Sequence, residues 1–413
     1  MKIETLQARR DKLAAKMVDG SFAVILSTNA PKKTADQLYE FCVWRNFLYF
    51  TNIDRPNMAF VLKKTGNHVQ DFLFIDEVSE MEEKWSGARM RKNVASATSG
   101  IKEENIFSMD KLRTTIGGWM MGAHSIEHAY FDFDRTSYTH LDTEQITFAK
   151  ELHAKYPQLQ LHDLHIEVAK LRAIKSEEEV ANLRKAIAIT KEGIEAMLKI
   201  SRPGLNEYEF DAYFNFALKM GGSAGPGYHS IIASGANATV LHYEDNNMVV
   251  NDSDLVLLDL GALWNHYSAD ISRTFPVNGK FTGRQADVYQ AVLDVEKATI
   301  EKIRPGIKMS ELTTFAKDSL AQKAKNLGLS SDISNYYYHG IGHALGLDVH
   351  DVGGRDFTLE TGMIITIEPG LYIADEAIGV RIEDNILVTA TGHENLSQDI
   401  IKEIADIEAF MAK

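Results

Sequence analysis

The sequence predicts two domains: a mixed α/β domain over residues 1–165, and an α+β domain over 166–413 built on an internal pseudo-twofold duplication. Three observations lead there. The first third alternates helical stretches with short, β-rich apolar runs. The remainder carries two similar stops, Arg202-Pro203-Gly204 and Arg304-Pro305-Gly306, 102 residues apart. It also carries two apolar strands that each end in a carboxylate, 109 residues apart. Offsets that recur along a chain mark a repeated unit.

In the first domain, residues 4–18 read as a helix. Apolar runs at Phe22–Leu26, Phe47–Phe50, Ala59–Leu62 and Phe72–Ile75 read as strands, and 143–155 as a closing helix. Tyr156-Pro157 is a breaker, and the domain boundary is expected between about 157 and 175.

The second domain opens on Ser176-Glu177-Glu178-Glu179, a capping-box signature. Val180, Leu183, Ile187, Ile194 and Met197 then share one helical face. Thr282-Gly283-Arg284-Gln285 repeats the signature ahead of Val288, Val292, Val295 and Ile303. Six residues after each proline of the two stops is a glutamate, Glu209 and Glu311, opening a further helical run. Leu255–Leu258 leads into Asp259, and Ile364–Ile367 into Glu368. A second carboxylate follows each, Asp270 and Glu383, at an offset of 113 residues. His242 and His350 match at an offset of 108.

Each half thus has two carboxylates on neighbouring strands. Hairpins pairing them directly would centre between Trp264 and Asn265, and between Asp375 and Glu376. Directly opposed side chains in an antiparallel pair have Cβ atoms only ~5 Å apart. A pseudo-twofold axis would bring the two pairs together. Four carboxylates cannot share an interior uncompensated, because burying an ionised carboxylate costs several kcal/mol and like charges disfavour one another. Metal cations resolve both problems. A fifth donor is expected in His339–His350, which holds His339, His343 and His350. Gly340 stands where a zincin helix would carry Glu, and the glycines disfavour a helix, so a loop and strand are expected. One imidazole with four carboxylates suits Mn²⁺, and admits Co²⁺ or Zn²⁺. Bridging carboxylates imply two ions, and the reaction class is metal-assisted hydrolysis.

Composition sets outer limits. With 44 Lys+Arg against 58 Asp+Glu the net charge is −14, which argues against nucleic-acid binding through bulk basic charge. One cysteine, Cys42, excludes an internal disulfide and a cysteine zinc cluster. Met1–Thr5 shows no apolar signal core, and no run approaches the ~18 apolar residues that span a bilayer. A cytoplasmic setting without membrane association is expected.

These residues resemble the pita-bread metallopeptidases: aminopeptidase P, prolidase, methionine aminopeptidase and creatinase. Asp259, Asp270, His343, Glu368 and Glu383 fall on that superfamily's five metal ligands, and His242 and His350 on its two active-site histidines. The resemblance implies that Asp259 holds one ion, His343 and Glu368 the other, and that Asp270 and Glu383 bridge. It implies Glu368 as general base, with His242 and His350 stabilising the tetrahedral intermediate or helping to protonate the prolyl nitrogen. His339, Arg381 and Tyr372 would line the substrate site. Arg45–Thr51 and Trp85-Ser86-Gly87-Ala88-Arg89 resemble the aminopeptidase P N-domain, with Asn52 where that family usually has Gly. The N-domain argues against methionine aminopeptidase, and the intact ligand set against creatinase. The implied activity is release of the first residue from peptides with proline second. Prolidase is the alternative, and a non-catalytic peptide-binding protein on the same fold a remote one. The resemblance also implies a homodimer or homotetramer, with Trp85 reaching a neighbouring subunit's active site.

Overall fold

The computed structural model describes residues 1–121, 126–135, 137–330, 332–354 and 356–412. Two compact units divide the chain, Met1–Arg172 and Ala173–Lys413.

In the first unit the helices are α1 (Ile3–Lys16), α2 (Arg45–Thr51), α3 (Glu80–Ser86), α4 (Lys92–Ser99), α5 (Leu112–Met120), α6 (Glu144–Lys155) and α7 (His165–Ala173). The strands are β1 (Ser21–Leu26), β2 (Ala59–Thr65), β3 (His68–Ile75), β4 (Ile106–Ser108), β5 (His128–Phe131) and β6 (Gln160–Asp163). They form one sheet in the order β4-β3-β2-β1-β5-β6. Strand β1 is buried along its whole length, as a continuous apolar run at the middle of a two-sided sheet must be. Phe22, Val24, Val61 and Phe74 pack on one face with Ile116, Phe131 and Phe148.

One expected strand is a helix. Phe47–Phe50 lies within α2, all of whose residues but Arg45 are buried. A short, fully buried apolar run has no periodicity to separate helix from strand, and its aromatic composition points to strand. The helix closes on Asn52, at φ 56° and ψ 23°, whose N–H donates to the Leu48 carbonyl at 2.7 Å. The left-handed turn therefore survives with Asn in place of Gly.

The second unit begins with α8 (Glu177–Ile200) and α9 (Glu207–Met220). It continues through β7 (Gly225–Pro226), β8 (Ile231–Ser234), β9 (Leu255–Leu260), β10 (Ala262–Trp264), β11 (Tyr267–Ser268) and β12 (Ile271–Pro276). The pattern restarts with α10 (Gly283–Ile300) and α11 (Met309–Asn326). Then come β13 (Ile364–Ile367), β14 (Gly370–Ile373), β15 (Ile378–Arg381), β16 (Asp384–Val388), β17 (His393–Asn395) and α12 (Ile404–Met411). Its sheets run β12-β9-β8, β13-β16-β17, β11-β10-β7 and β14-β15.

The duplication is visible in the chemistry of the helix starts. Glu179 accepts from the Ser176 N–H at 2.8 Å, and Gln285 from the Thr282 N–H at 3.0 Å. Glu209 and Glu311 do the same for the second helix of each half, accepting from Asn206 N–H at 2.7 Å and Lys308 N–H at 3.1 Å. Each satisfies a backbone donor that the helix leaves unpaired. The segments before these helices form matching isolated bridges, Asn206 with Val249 and Lys308 with Thr358.

The two hairpins differ in register. In the second half Ile367 faces Asp384 and Gly370 faces Arg381, so Glu368 and Glu383 are opposed, as expected. In the first half Asp259 faces Ser272 rather than Asp270. The reason is the turn: Asn265 and His266 both take positive φ, 47° and 68°, forming a two-residue hairpin loop that centres one residue later than expected. The pairing shift leaves Asp259 and Asp270 on one face, because it amounts to two residues and side chains alternate with a period of two.

Candidate active site

The four carboxylates picked out by the duplication and His343 converge in the second unit. Ligand atoms of Asp270, His343 and Glu383 all lie within 4.8 Å of one another. His343 Nε2 stands 3.3 Å from Asp270 Oδ2 and 3.6 Å from Glu368 Oε1. Its Nδ1 lies 3.0 Å from the Ala344 carbonyl, which fixes Nδ1 as the protonated nitrogen and aims Nε2 at the carboxylates. Asp259 joins through the Tyr228 hydroxyl, which is 2.7 Å from Asp259 Oδ1 and 2.5 Å from Asp270 Oδ1.

The loop carrying His343 is irregular backbone. Among the described residues its bridge is Ala344 with Ile365, which stands in place of the strand expected there. Thr366 N–H donates to the His343 carbonyl at 2.9 Å, and Glu368 N–H to the Ile341 carbonyl at 2.8 Å. A Cβ at Gly342 would lie 2.0 Å from the Thr366 carbonyl oxygen, so only glycine allows this approach.

The charge balance fits a metal. Burial pushes the Glu368 carboxyl up to about 7, and burial with repulsion from Asp270 holds Glu383 well above the usual carboxylate range. Asp259 is also raised by burial, despite Arg381. Burial opposes a charged His343, yet its bond to Asp270 and the charge of Glu368 outweigh that and carry it to about 9. Clustered buried carboxylates drawing protons onto themselves and onto a neighbouring imidazole form a site that a polyvalent cation would relieve. Asp270, His343 and Glu383 are the group that could hold an ion, and two carboxylates with an imidazole suit hard or borderline divalent ions.

Behind Asp259 runs a hydrogen-bonded row. Arg381 is 3% exposed and donates from Nη2 to Asp259 at 2.7 Å, from Nη1 to the Tyr372 hydroxyl at 3.0 Å, and from Nε to Ser272 Oγ at 2.9 Å. Tyr372 meets His339 Nε2 at 2.8 Å. Burial and the Arg381 charge depress His339 to about 3, so it is neutral at physiological pH. Arg381 and Tyr372 therefore stand behind the carboxylates, and the half-buried His339 is the outer end of the row. His242 and His350 are exposed. The His350 ring meets His343 edge-to-face at 4.3 Å. Trp85 lies in the first unit on α3 and is 87% exposed.

Sequence reasoning missed Tyr228. A usable signal existed: Tyr228-His229 recurs as Tyr338-His339 at an offset of 110 residues, inside the range of the other offsets. It also missed Ser272, whose Oγ donates to Glu383 Oε2 at 2.7 Å.

The paired carboxylates, imidazole and duplicated architecture define a pita-bread metal-dependent hydrolase. Residues 181–390 match Metallopeptidase family M24, and residues 6–127 match Aminopeptidase P, N-terminal domain. Xaa-Pro aminopeptidase of Escherichia coli (strain K12) is 34% identical, over 99% of this chain and 97% of that protein. A Bacillus anthracis structure, given as a candidate aminopeptidase P, is 44% identical with a TM-score of 0.97, over 100% of this chain and 99% of that one. Proline aminopeptidase P II from Yersinia pestis is 33% identical with a TM-score of 0.90, over 100% of both chains. The chain belongs to metallopeptidase family M24 and is a metallo-aminopeptidase with an aminopeptidase P N-terminal domain.

Proposed function

We propose that the protein removes the first residue from peptides whose second residue is proline, using two divalent ions, Mn²⁺ by preference with Co²⁺ or Zn²⁺ as substitutes. The observation that carries this reading is the convergence of Asp270, His343 and Glu383 within 4.8 Å, one carboxylate from each half. Asp259 would hold one ion, His343 and Glu368 the other, with Asp270 and Glu383 shared. When bound, the ions supply Lewis-acid activation of water and of the scissile carbonyl.

The chain's own groups do the rest. Glu368 accepts the proton from the attacking water. His242 and His350, both exposed, stabilise the tetrahedral oxygen and return a proton to the prolyl nitrogen. That nitrogen is a tertiary amide and cannot leave unprotonated. Neutral His339 keeps the row to Asp259 hydrogen-bonded without adding charge.

The deciding assay compares an Xaa-Pro-Yaa tripeptide with an Xaa-Pro dipeptide in Mn²⁺. The tripeptide is expected to be at least as good by kcat/KM, and its N-acetyl derivative inert. A dipeptide preference above about tenfold, ~1.4 kcal/mol of transition-state stabilisation, would transfer the assignment to prolidase. The reading extends to a cytoplasmic homodimer or homotetramer, with exposed Met81 and Trp85 of α3 as the candidate contact. Light scattering showing an active monomer would remove that extension. The chain's −14 net charge disfavours nucleic acid as a partner, and among the described residues no helix is long and apolar enough to cross a membrane.

A further inference from the structure

Asp270 and Glu383 come from different halves, so something must fix the distance between them. Each is held by a side chain of the other half, in mirrored fashion. Asn385 lies two residues after Glu383 and grips the backbone of Asp270 from both sides. Its Oδ1 accepts from the Asp270 N–H at 3.2 Å, and its Nδ2 donates to the Asp270 carbonyl at 2.5 Å. Ser272 lies two residues after Asp270 and grips Glu383. Its carbonyl accepts from the Glu383 N–H at 3.1 Å, and its Oγ donates to Glu383 Oε2 at 2.7 Å. Both side chains are completely buried. Ser272 and Asn385 stand 113 residues apart, the offset that also relates Asp270 to Glu383.

The two braces differ in what they hold. Asp270 lies just outside β12, and the Asn385 amide holds its peptide by both the N–H and the carbonyl. Ser272 Oγ also accepts from Arg381 Nε at 2.9 Å, so its proton is directed at Glu383 and one carboxylate oxygen is pinned. The Glu383 side chain is longer than that of Asp270 and has more rotamers to restrict.

We propose that Ser272 and Asn385 are reciprocal positioning residues that set the separation of the two carboxylates shared between the ions. The inference rests on the two-ion reading above. Positioning of this kind weighs most on loading both ions, because only then must both carboxylates span a fixed gap. Partners that orient ligands typically change metal affinity 10–100-fold when removed.

The test titrates metal-free protein with Mn²⁺, following free Mn²⁺ by electron paramagnetic resonance. Wild type, Ser272→Ala, Ser272→Thr and Asn385→Ala are compared, each with a thermal melt in chelator. Wild type is expected to take two ions. Ser272→Ala and Asn385→Ala are expected to weaken the second ion 10–100-fold and the first by much less, and Ser272→Thr to restore wild-type loading. Ser272→Ala removes a single oxygen and carries the comparison should Asn385→Ala not fold. Wild-type loading of both ions in Ser272→Ala overturns the positioning role. Equal weakening of both ions, tracking a fall in the melting temperature, overturns it too, by reducing the effect to global stability. Fewer than two ions in wild type would instead sink the two-ion reading beneath it.

Discussion

The two halves of the catalytic unit solve one geometric problem differently. The first half delivers Asp259 from inside an unbroken ladder, where β9 pairs with β12 over six residues. The second delivers Glu368 and Glu383 from a break in its ladder, between the β13–β16 pairs and the β14–β15 pairs. The fifth donor breaks the symmetry outright. His343 lies opposite Thr366, two residues before Glu368. At the matching place, opposite Leu257 and two residues before Asp259, stands buried Ala233. Duplication thus supplied a frame and paired carboxylates, and divergence put the imidazole in one half only.

The sharpest way to break this comparison is to remove the matched carboxylates. Asp270→Asn and Glu383→Gln are each expected to lower kcat/KM by about three orders of magnitude or more and to lose bound metal, scored by turnover with elemental analysis. Loss in one half with none in the other would show that the halves do not share one site.

Next come the imidazoles. His343→Ala is expected to lose an ion. His242→Ala and His350→Ala are expected to keep both ions while kcat falls roughly 100- to 10,000-fold, the usual range for positioned proton transfer. Release of metal from His242→Ala would contradict the division between buried donors and exposed proton-handling groups.

A pH experiment follows from the raised carboxylates. Without metal, His343 holds its proton to about 9 and Glu368 to about 7. Ion binding near neutral pH must displace those protons, so affinity for Mn²⁺ should rise as pH climbs from about 6 to 9. Titration calorimetry in two buffers of different ionisation enthalpy should register at least one proton released at pH 7. No release, with pH-independent affinity, would mean that these groups are not displaced.

The smallest expected effect concerns the turns. Ala377 closes the second hairpin's turn in the left-handed region at φ 52°, where a Cβ is unfavourable. Ala377→Gly should add about 0.5–1 kcal/mol of stability, partly offset by chain entropy. In the first hairpin Asn265→Val should cost about 1–2 kcal/mol, since a β-branched residue resists positive φ. Thermal melts of the two variants moving in opposite directions is the expected result.

Most of this site was legible because the chain repeats itself. Matched offsets isolated Asp259, Asp270, Glu368 and Glu383 from the many other acidic residues, and no local motif would have done so. What escaped was set by contacts that sequence spacing does not encode. The helix at Arg45–Thr51 is buried from Asn46 onward, so it offers no apolar stripe to count. The first hairpin's register follows from positive φ at both Asn265 and His266, and His266 is not a residue that announces such a turn. Asn385 and Ser272 looked like ordinary strand residues, and their role appears only when the two halves meet.

Anomalous diffraction from crystals of the Mn²⁺-loaded protein tests the central claim most directly. The account predicts two peaks per chain, both in contact with Asp270 and Glu383, with Asp259 at one peak and His343 and Glu368 at the other. A single peak at full loading, or peaks away from these five residues, would contradict it.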